Sequence, residues 1–150
     1  MNREILFRGK RFQGENWVEG YFYKSDINKR ERESGKATLI FTPDCDTFIY
    51  IPKALNSVMV IAETIGQYTG PTDKNGTRIF EGDILEGDLD DNLDLGAKWR
   101  STIVMGKFGW LADDPTGTNP TPLDEFDIKE GEVIGNIYDN PELMGGNTNG

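Results

Sequence analysis

E-T-I-G-Q-Y-T-G-P-T-D-K-N-G-T-R-I-F-E-G-D-I-L, running from Glu63 to Leu85, reads as a strand, a tight turn and a second strand. Thr64–Thr69 is extended, with Ile65 on one face and Tyr68 on the other, and Gly70-Pro71 breaks it. Asp73-Lys74-Asn75-Gly76 is a strong turn signal, because Asn-Gly accepts the positive φ of a type I′ turn. Arg78-Ile79-Phe80 restarts extended structure, and Glu81-Gly82-Asp83 interrupts it before Ile84-Leu85. Gly82 is expected in a conformation closed to other residues, where the chain changes direction.

Outward from that stretch the chain keeps the same character. On the N-terminal side, Glu4–Lys10 carries Ile5 and Phe7 at period 2, a half-buried strand. A glycine turn at Arg11–Asn16 leads to Trp17–Tyr23, which places Trp17, Tyr21 and Tyr23 on one side of a hairpin. Gly20 inside that strand marks a bulge or a close backbone approach. Residues 24–36 are polar and of mixed charge, a solvated loop or a short exposed helix. Ala37–Thr42 and Thr47–Ile51 flank the turn Pro43–Asp46. Phe48 and Tyr50 alternate with Ile49 and Ile51, so both faces are apolar and the strand is expected between layers. Pro52 ends it, and Lys53–Ser57 reads as a helical turn before Val58–Ala62. On the C-terminal side, Glu86–Gly96 is an acidic insertion, and Trp99–Lys107 and Phe108–Leu111 form a strand pair turned near Gly106 or Gly109. Ala112–Pro122 is a loop, Leu123–Ile128 a short strand or helical turn, and Val133–Tyr138 the last strand. Short strands with glycine turns from residue 63 onward are the signature of a small barrel.

Composition bounds the chemistry. The chain has 150 residues, 36% hydrophobic and 28% charged, with 18 Gly and 7 Pro. At this length folding buries roughly 68–70% of the unfolded surface, so no metal or disulfide staple is needed. The single cysteine, Cys45, lies between Asp44 and Asp46 and reads as an inert thiol. There is no histidine, which excludes imidazole acid/base catalysis, every Ser-His-Asp or Cys-His nucleophile and most transition-metal sites. A net charge of −10 repels nucleic-acid backbones unless a local basic patch intervenes. No run approaches a membrane span and the start shows no apolar leader, so a cytoplasmic protein is expected.

Several blocks then resemble one family. R-E-I-L-F-R-G-K (Arg3–Lys10), W-V-E-G-Y (Trp17–Tyr21), T-I-G-Q-Y-T-G (Thr64–Gly70) and D-K-N-G (Asp73–Gly76) are similar to the YopX family. So are I-F-E-G-D-I-L (Ile79–Leu85) and V-I-G-N-I-Y-D-N-P-E-L (Val133–Leu143), all in family order. Pro71 departs from an expected apolar residue, and the acidic insertion is longer than usual. The resemblance implies a small bacteriophage or prophage protein without an assigned activity, with a C-terminal SH3-like β-barrel, and it carries over no catalytic residue. The fold class is therefore mainly β. Residues 1–62 are expected as a small antiparallel sheet of hairpins, 63–143 as an SH3-like barrel, and 144–150 as a disordered tail.

Candidate sites are few. Asp88, Asp90 and Asn92 fit the first ligand positions of an EF-hand loop, but Leu93 and Trp99 stand where its glycine and bidentate glutamate belong. The bland reading, a solvated acidic loop with no metal, competes with a divalent-ion loop. Glu81 and Asp83 could serve as an acid/base pair, against the reading that they cap the turn through backbone N–H groups. Gly70–Thr77 fails as a phosphate loop, since Asn75 stands where the second glycine is needed and no lysine follows. Gly66, Gly70, Gly76, Glu81, Gly82, Asp83, Gly135 and Asn136 read as structural motif residues. Tyr68, Trp99, Phe108, Trp110 and Tyr138 are the candidate aromatic binding face, with core packing as the competing reading. The expectation is a non-enzymatic phage accessory protein without cofactor, acting through an unknown protein partner or a homo-oligomer. Association with nucleic acid is the alternative, disfavoured by net charge, and a carboxylate-based hydrolase is the third.

Overall fold

The computed structural model describes residues 4–25, 46–89, 96–114 and 120–145. It divides into two compact units, Asn2–Gln67 and Tyr68–Gly150. Among the described residues no helix is long and apolar enough to cross a membrane. The expected strand Ala37–Thr42, Cys45 and most of the polar segment 24–36 lie outside the described residues.

In the first unit, β1 (Phe7–Lys10), β2 (Trp17–Lys24), β3 (Thr47–Ile51) and β4 (Asn56–Met59) pair antiparallel in the order β4-β3-β2-β1. Gly14, at φ +104°, makes the β1–β2 turn, which Arg11 N–H closes on Asn16 O at 2.9 Å. Gly66 and Gln67, which open β5 (Gly66–Thr72), pair with Arg8 and Phe7 at the other edge of β1.

Side chains alternate across this sheet. Gly9, Gly20, Thr47 and Ile49 face inward and are buried, while the paired residues Tyr21/Tyr50 and Tyr23/Phe48 face outward. The expectation that β3 is sandwiched between layers is corrected, because Tyr50 is exposed. Phe48 is instead half-covered by Tyr23, with ring centroids 5.4 Å apart and planes 16° from parallel. Neighbouring aromatics screen one another, so no second layer is needed. The start is corrected too: β1 begins at Phe7, Ile5 is exposed, and Leu6 is the buried residue. Gly20 is a close approach rather than a bulge, since a Cβ there would collide with the Tyr50 carbonyl oxygen.

After β3 a 3-10 turn, Pro52–Ala54, is closed by Leu55 N–H on Pro52 O at 3.1 Å. Leu55 is held at φ +48° with its side chain in solvent. A left-handed leucine is strained and here gains no burial in return. Leu55→Gly should therefore raise unfolding stability by about 1 kcal/mol in a urea titration.

In the second unit, β6 (Arg78–Phe80) pairs with Tyr68 and Thr72 of β5. The strand does not end at Gly70-Pro71. It continues to Thr72 through a register shift, with Gly70 at φ +115°. A bulge tolerates both the glycine and a proline that cannot donate. The remaining strands are β7 (Asp83–Asp88), β8 (Lys98–Met105), β9 (Trp110–Asp113), β10 (Thr121–Pro122) and β11 (Glu132–Asn136). Their order is β10-β9-β8-β7-β11, all antiparallel.

Among the described residues this sheet is open, with β10 and β11 as its edges, so the expected closure into a barrel is not present in the pairing. Strand β10 holds only two residues and supplies little edge to close with. Ile79, Leu85, Ile103 and Ala112 form the core, with Trp99, Trp110, Leu123, Ile128 and Val133 packed against it. Of the two readings for Leu123–Ile128 the helix holds, as α1 (Glu125–Glu130). Asp124 caps it, accepting from Phe126 and Asp127 N–H at 3.0 and 3.1 Å, and the Asp127 carboxylate accepts from Asp124 N–H. Burial pushes the Asp127 carboxyl above its usual range. Of the expected disordered tail 144–150, Met144 ends a 3-10 turn, Pro141–Met144, capped by Gly145. Residues 146–150 lie outside the described residues.

Candidate functional site

The carboxylates of the Glu63–Leu85 stretch are engaged by backbone. Asp73 is 5% exposed, and its Oδ1 accepts N–H bonds from Asn75 at 2.8 Å and Thr77 at 2.9 Å. Its Oδ2 accepts from Val133 N–H at 2.8 Å, 60 positions along the chain. The turn is thereby fixed to the start of β11. Asp83 is buried, and its Oδ2 accepts from Phe80 N–H at 2.8 Å across the Glu81-Gly82 turn. Glu81 is half-exposed beside it. Gly82, at φ +90°, donates its N–H to Ile103 O at 2.8 Å and accepts from Ile137 N–H at 2.9 Å.

A Cβ on Gly82 would meet Tyr138 Cε2 at 3.2 Å. Gly82→Val adds a β-branched residue in a left-handed conformation to that crowding, and should cost about 2–3 kcal/mol by urea unfolding. An unchanged urea midpoint would contradict the placement.

Gly135 and Asn136 serve the last turn in the same way. Asn136 Oδ1 accepts from Tyr138 N–H at 3.0 Å and Asp139 N–H at 2.9 Å, and a Cβ on Gly135 would collide with Asn140. Gly66 is buried where β5 pairs with Arg8, and Gly76, at φ +83°, completes the turn after Asn75.

The five sequence-predicted aromatics do not share one exposed face. Tyr68 is buried against Phe80, with centroids 5.6 Å apart. Trp99 and Trp110 lie together on the core side of the second sheet, and Trp99 covers Gly87 and Gly131. Tyr138 stands over Gly82. Phe108 alone of the five is fully in solvent, 94% exposed at the tip of the β8–β9 hairpin.

The acidic insertion enters through β7, where Asp88 pairs with Lys98. That hydrogen bond holds the Asp88 carboxyl below its usual range and the Lys98 ammonium above its own. Asp90 and Asn92 lie outside the described residues, among which no three His, Cys, Asp or Glu are placed to hold a metal ion. A 390 Å³ pocket beside β8 is lined by Glu86, Lys98, Arg100 and Leu143. Arg100 there already bonds Glu86 at 2.7 Å and Leu143 O at 3.0 Å.

A family model described as YopX protein matches residues 6–145. The chain belongs to the YopX family. No curated protein matches it. Among solved structures it is similar to one described as the crystal structure of protein EF1440 from Enterococcus faecalis. The likeness has 20% identity and a TM-score of 0.55, covering 95% of this chain and 99% of the other, and it shows the fold alone. In this YopX chain three of the six blocks that carry the resemblance contain the turn-fixing residues Asp73, Gly82, Asp83, Gly135 and Asn136.

Two features were not singled out in the sequence. Asp73 counts in the sequence only as part of a turn, although an aspartate two positions before the asparagine of an Asn-Gly pair is placed to accept from that turn's N–H groups. The sequence puts Trp17, Tyr21 and Tyr23 of β2 on one side of a hairpin and makes both faces of β3 apolar, but period 2 alone does not say which side meets the core.

Proposed function

We propose that this chain is a non-enzymatic accessory protein of a bacteriophage or prophage, working in the bacterial cytoplasm through protein–protein contacts. The observation that carries the reading is the β8–β9 hairpin tip. Gly106 N–H bonds Gly109 O at 2.7 Å, and Leu111 fills the space a Cβ on Gly106 would need, at 2.6 Å. The tip is thus held in shape, and it presents Phe108 to solvent with Met105 exposed at the adjoining strand end. A preformed aromatic knob loses little conformational entropy on docking, and burying one Phe is worth about 1.5–3 kcal/mol. The engagement of Asp73 and Asp83 by backbone N–H groups, together with the lack of histidine, supports a binding role over a carboxylate-based hydrolase. For the second unit we keep the SH3-like barrel as the parent topology. Its support is a four-strand meander whose fifth strand returns, after α1, to pair with the first.

The test places a photo-crosslinking phenylalanine analogue at Phe108 in cells carrying the induced phage element. A discrete protein adduct, to another protein or to a second copy, is expected. It should be absent when the analogue replaces Lys129, which is exposed on α1. No adduct at Phe108, or equal adducts at both sites, would overturn the reading.

A further inference from the structure

The net charge of −10 is unevenly held. Residues 2–67 carry ten Lys/Arg against nine Asp/Glu, a net of +1, whereas residues 68–150 carry six against seventeen, a net of −11. The repulsion that argues against nucleic acid therefore belongs to the second unit only.

The first unit's outward sheet face is aromatic rather than aliphatic. Directly paired residues share a face, so Trp17, Tyr21 and Tyr23 of β2 lie beside Phe48 and Tyr50 of β3. Tyr21, Tyr23 and Tyr50 are 51%, 42% and 36% exposed. At the Trp17 end of the stripe the same registers add cations, with Lys10 opposite Trp17 and Arg8 opposite Glu19. The Arg8 guanidinium lies over the Trp17 ring, 4.8 Å from its centroid.

We propose that this face binds single-stranded nucleic acid by stacking its bases on the exposed tyrosines, with Lys10 at its edge meeting the backbone. Aromatic rings on an antiparallel sheet stack on any base, so the binding is tolerant of sequence. A duplex hides its bases within the stack and leaves the tyrosines nothing to engage. With one cation at the stripe, log K should fall against log salt with a shallow slope of about −0.7. The binding is independent of Phe108, which lies on the other unit, so the two ideas can fail separately.

The experiment is fluorescence anisotropy of a labelled oligothymidylate with the full chain at low salt. Wild type should bind it and bind the matching duplex much more weakly. Tyr21→Ala with Tyr50→Ala should weaken binding about tenfold or more, while Tyr21→Phe with Tyr50→Phe retains it. Circular dichroism should show every variant folded at the assay temperature, the alanine pair melting only slightly lower because it loses one cross-strand contact. No binding by wild type would overturn the proposal. So would an alanine pair that binds like wild type, or equal affinity for duplex. Protein crosslinks at Tyr21 without oligothymidylate binding would assign the face to a protein partner instead.

Discussion

Gly20→Val should be among the most damaging single changes in the first unit, costing about 4 kcal/mol or more. Gly20 sits in β2 beside the Tyr21↔Tyr50 pair, and its missing Cβ is replaced in space by the Tyr50 carbonyl oxygen, with Ile49 Cγ2 at 3.0 Å. A side chain in the way could rotate, but a backbone carbonyl moves only if β2 and β3 separate. The collision begins at Cβ itself, so Gly20→Ala should lose most of the same stability. Gly14→Ala is the matched control. Its φ of +104° is unfavourable for alanine, yet nothing lies within 4 Å of the added carbon. It should cost only about 1–2 kcal/mol. Urea midpoints compare the three directly, and a smaller shift for Gly20→Val than for Gly14→Ala would contradict the close approach.

Asp73→Ala should cost the second unit about 3–5 kcal/mol. The carboxylate is buried and accepts three backbone N–H bonds, two within its own turn and one from Val133. Its removal leaves three donors to find water, and bonds to an ionised acceptor are worth more than neutral ones. The two turn donors can be rehydrated, which keeps the total below the sum of three full penalties. Val133 cannot be served so readily, because Lys74 N–H to Gly131 O at 3.2 Å and Asn75 Nδ2 to Glu132 Oε2 at 3.0 Å hold the turn against the same strand. Asp73→Asn should fall between wild type and alanine. Its amide can accept on one side, but it turns a donor toward the N–H groups on the other. Guanidinium unfolding of the three proteins checks the order.

Local chemistry made much of the fold legible. β3 falls at Thr47–Ile51 as its β-branched and aromatic run indicates, and the chain turns at Asp73–Gly76 as expected, although Gly76 and not Asn75 takes the positive φ, so the turn is not type I′. What failed depended on partners distant in sequence. Gly70-Pro71 looks like a strand end, yet pairing with β6 carries the strand across it as a bulge. Ile5 and Leu6 are equally apolar, and only the packing of the first unit buries Leu6. Among the candidate aromatics, Trp99 stands between Lys98 and Arg100 as a residue of a binding face would, and Trp110 follows Gly109 at the end of a hairpin. They turn inward because β8 and β9 share their core side with Ile103 and Ala112. Tyr21 and Tyr50 turn outward because Gly20 and Ile49 take the interior of the same strands.

The central claim is that the buried carboxylate of the Glu63–Leu85 stretch is a structural group, with Asp73 holding its own turn and fixing it to the start of β11. Amide hydrogen exchange read residue by residue tests it most directly, at Asn75, Thr77, Phe80 and Val133. The account predicts slow exchange at all four in the wild type, with Asn75, Thr77 and Val133 released together in Asp73→Ala while Phe80, bonded to Asp83, stays protected. Wild-type amides at Asn75, Thr77 and Val133 that exchange as fast as in an unfolded chain would contradict it.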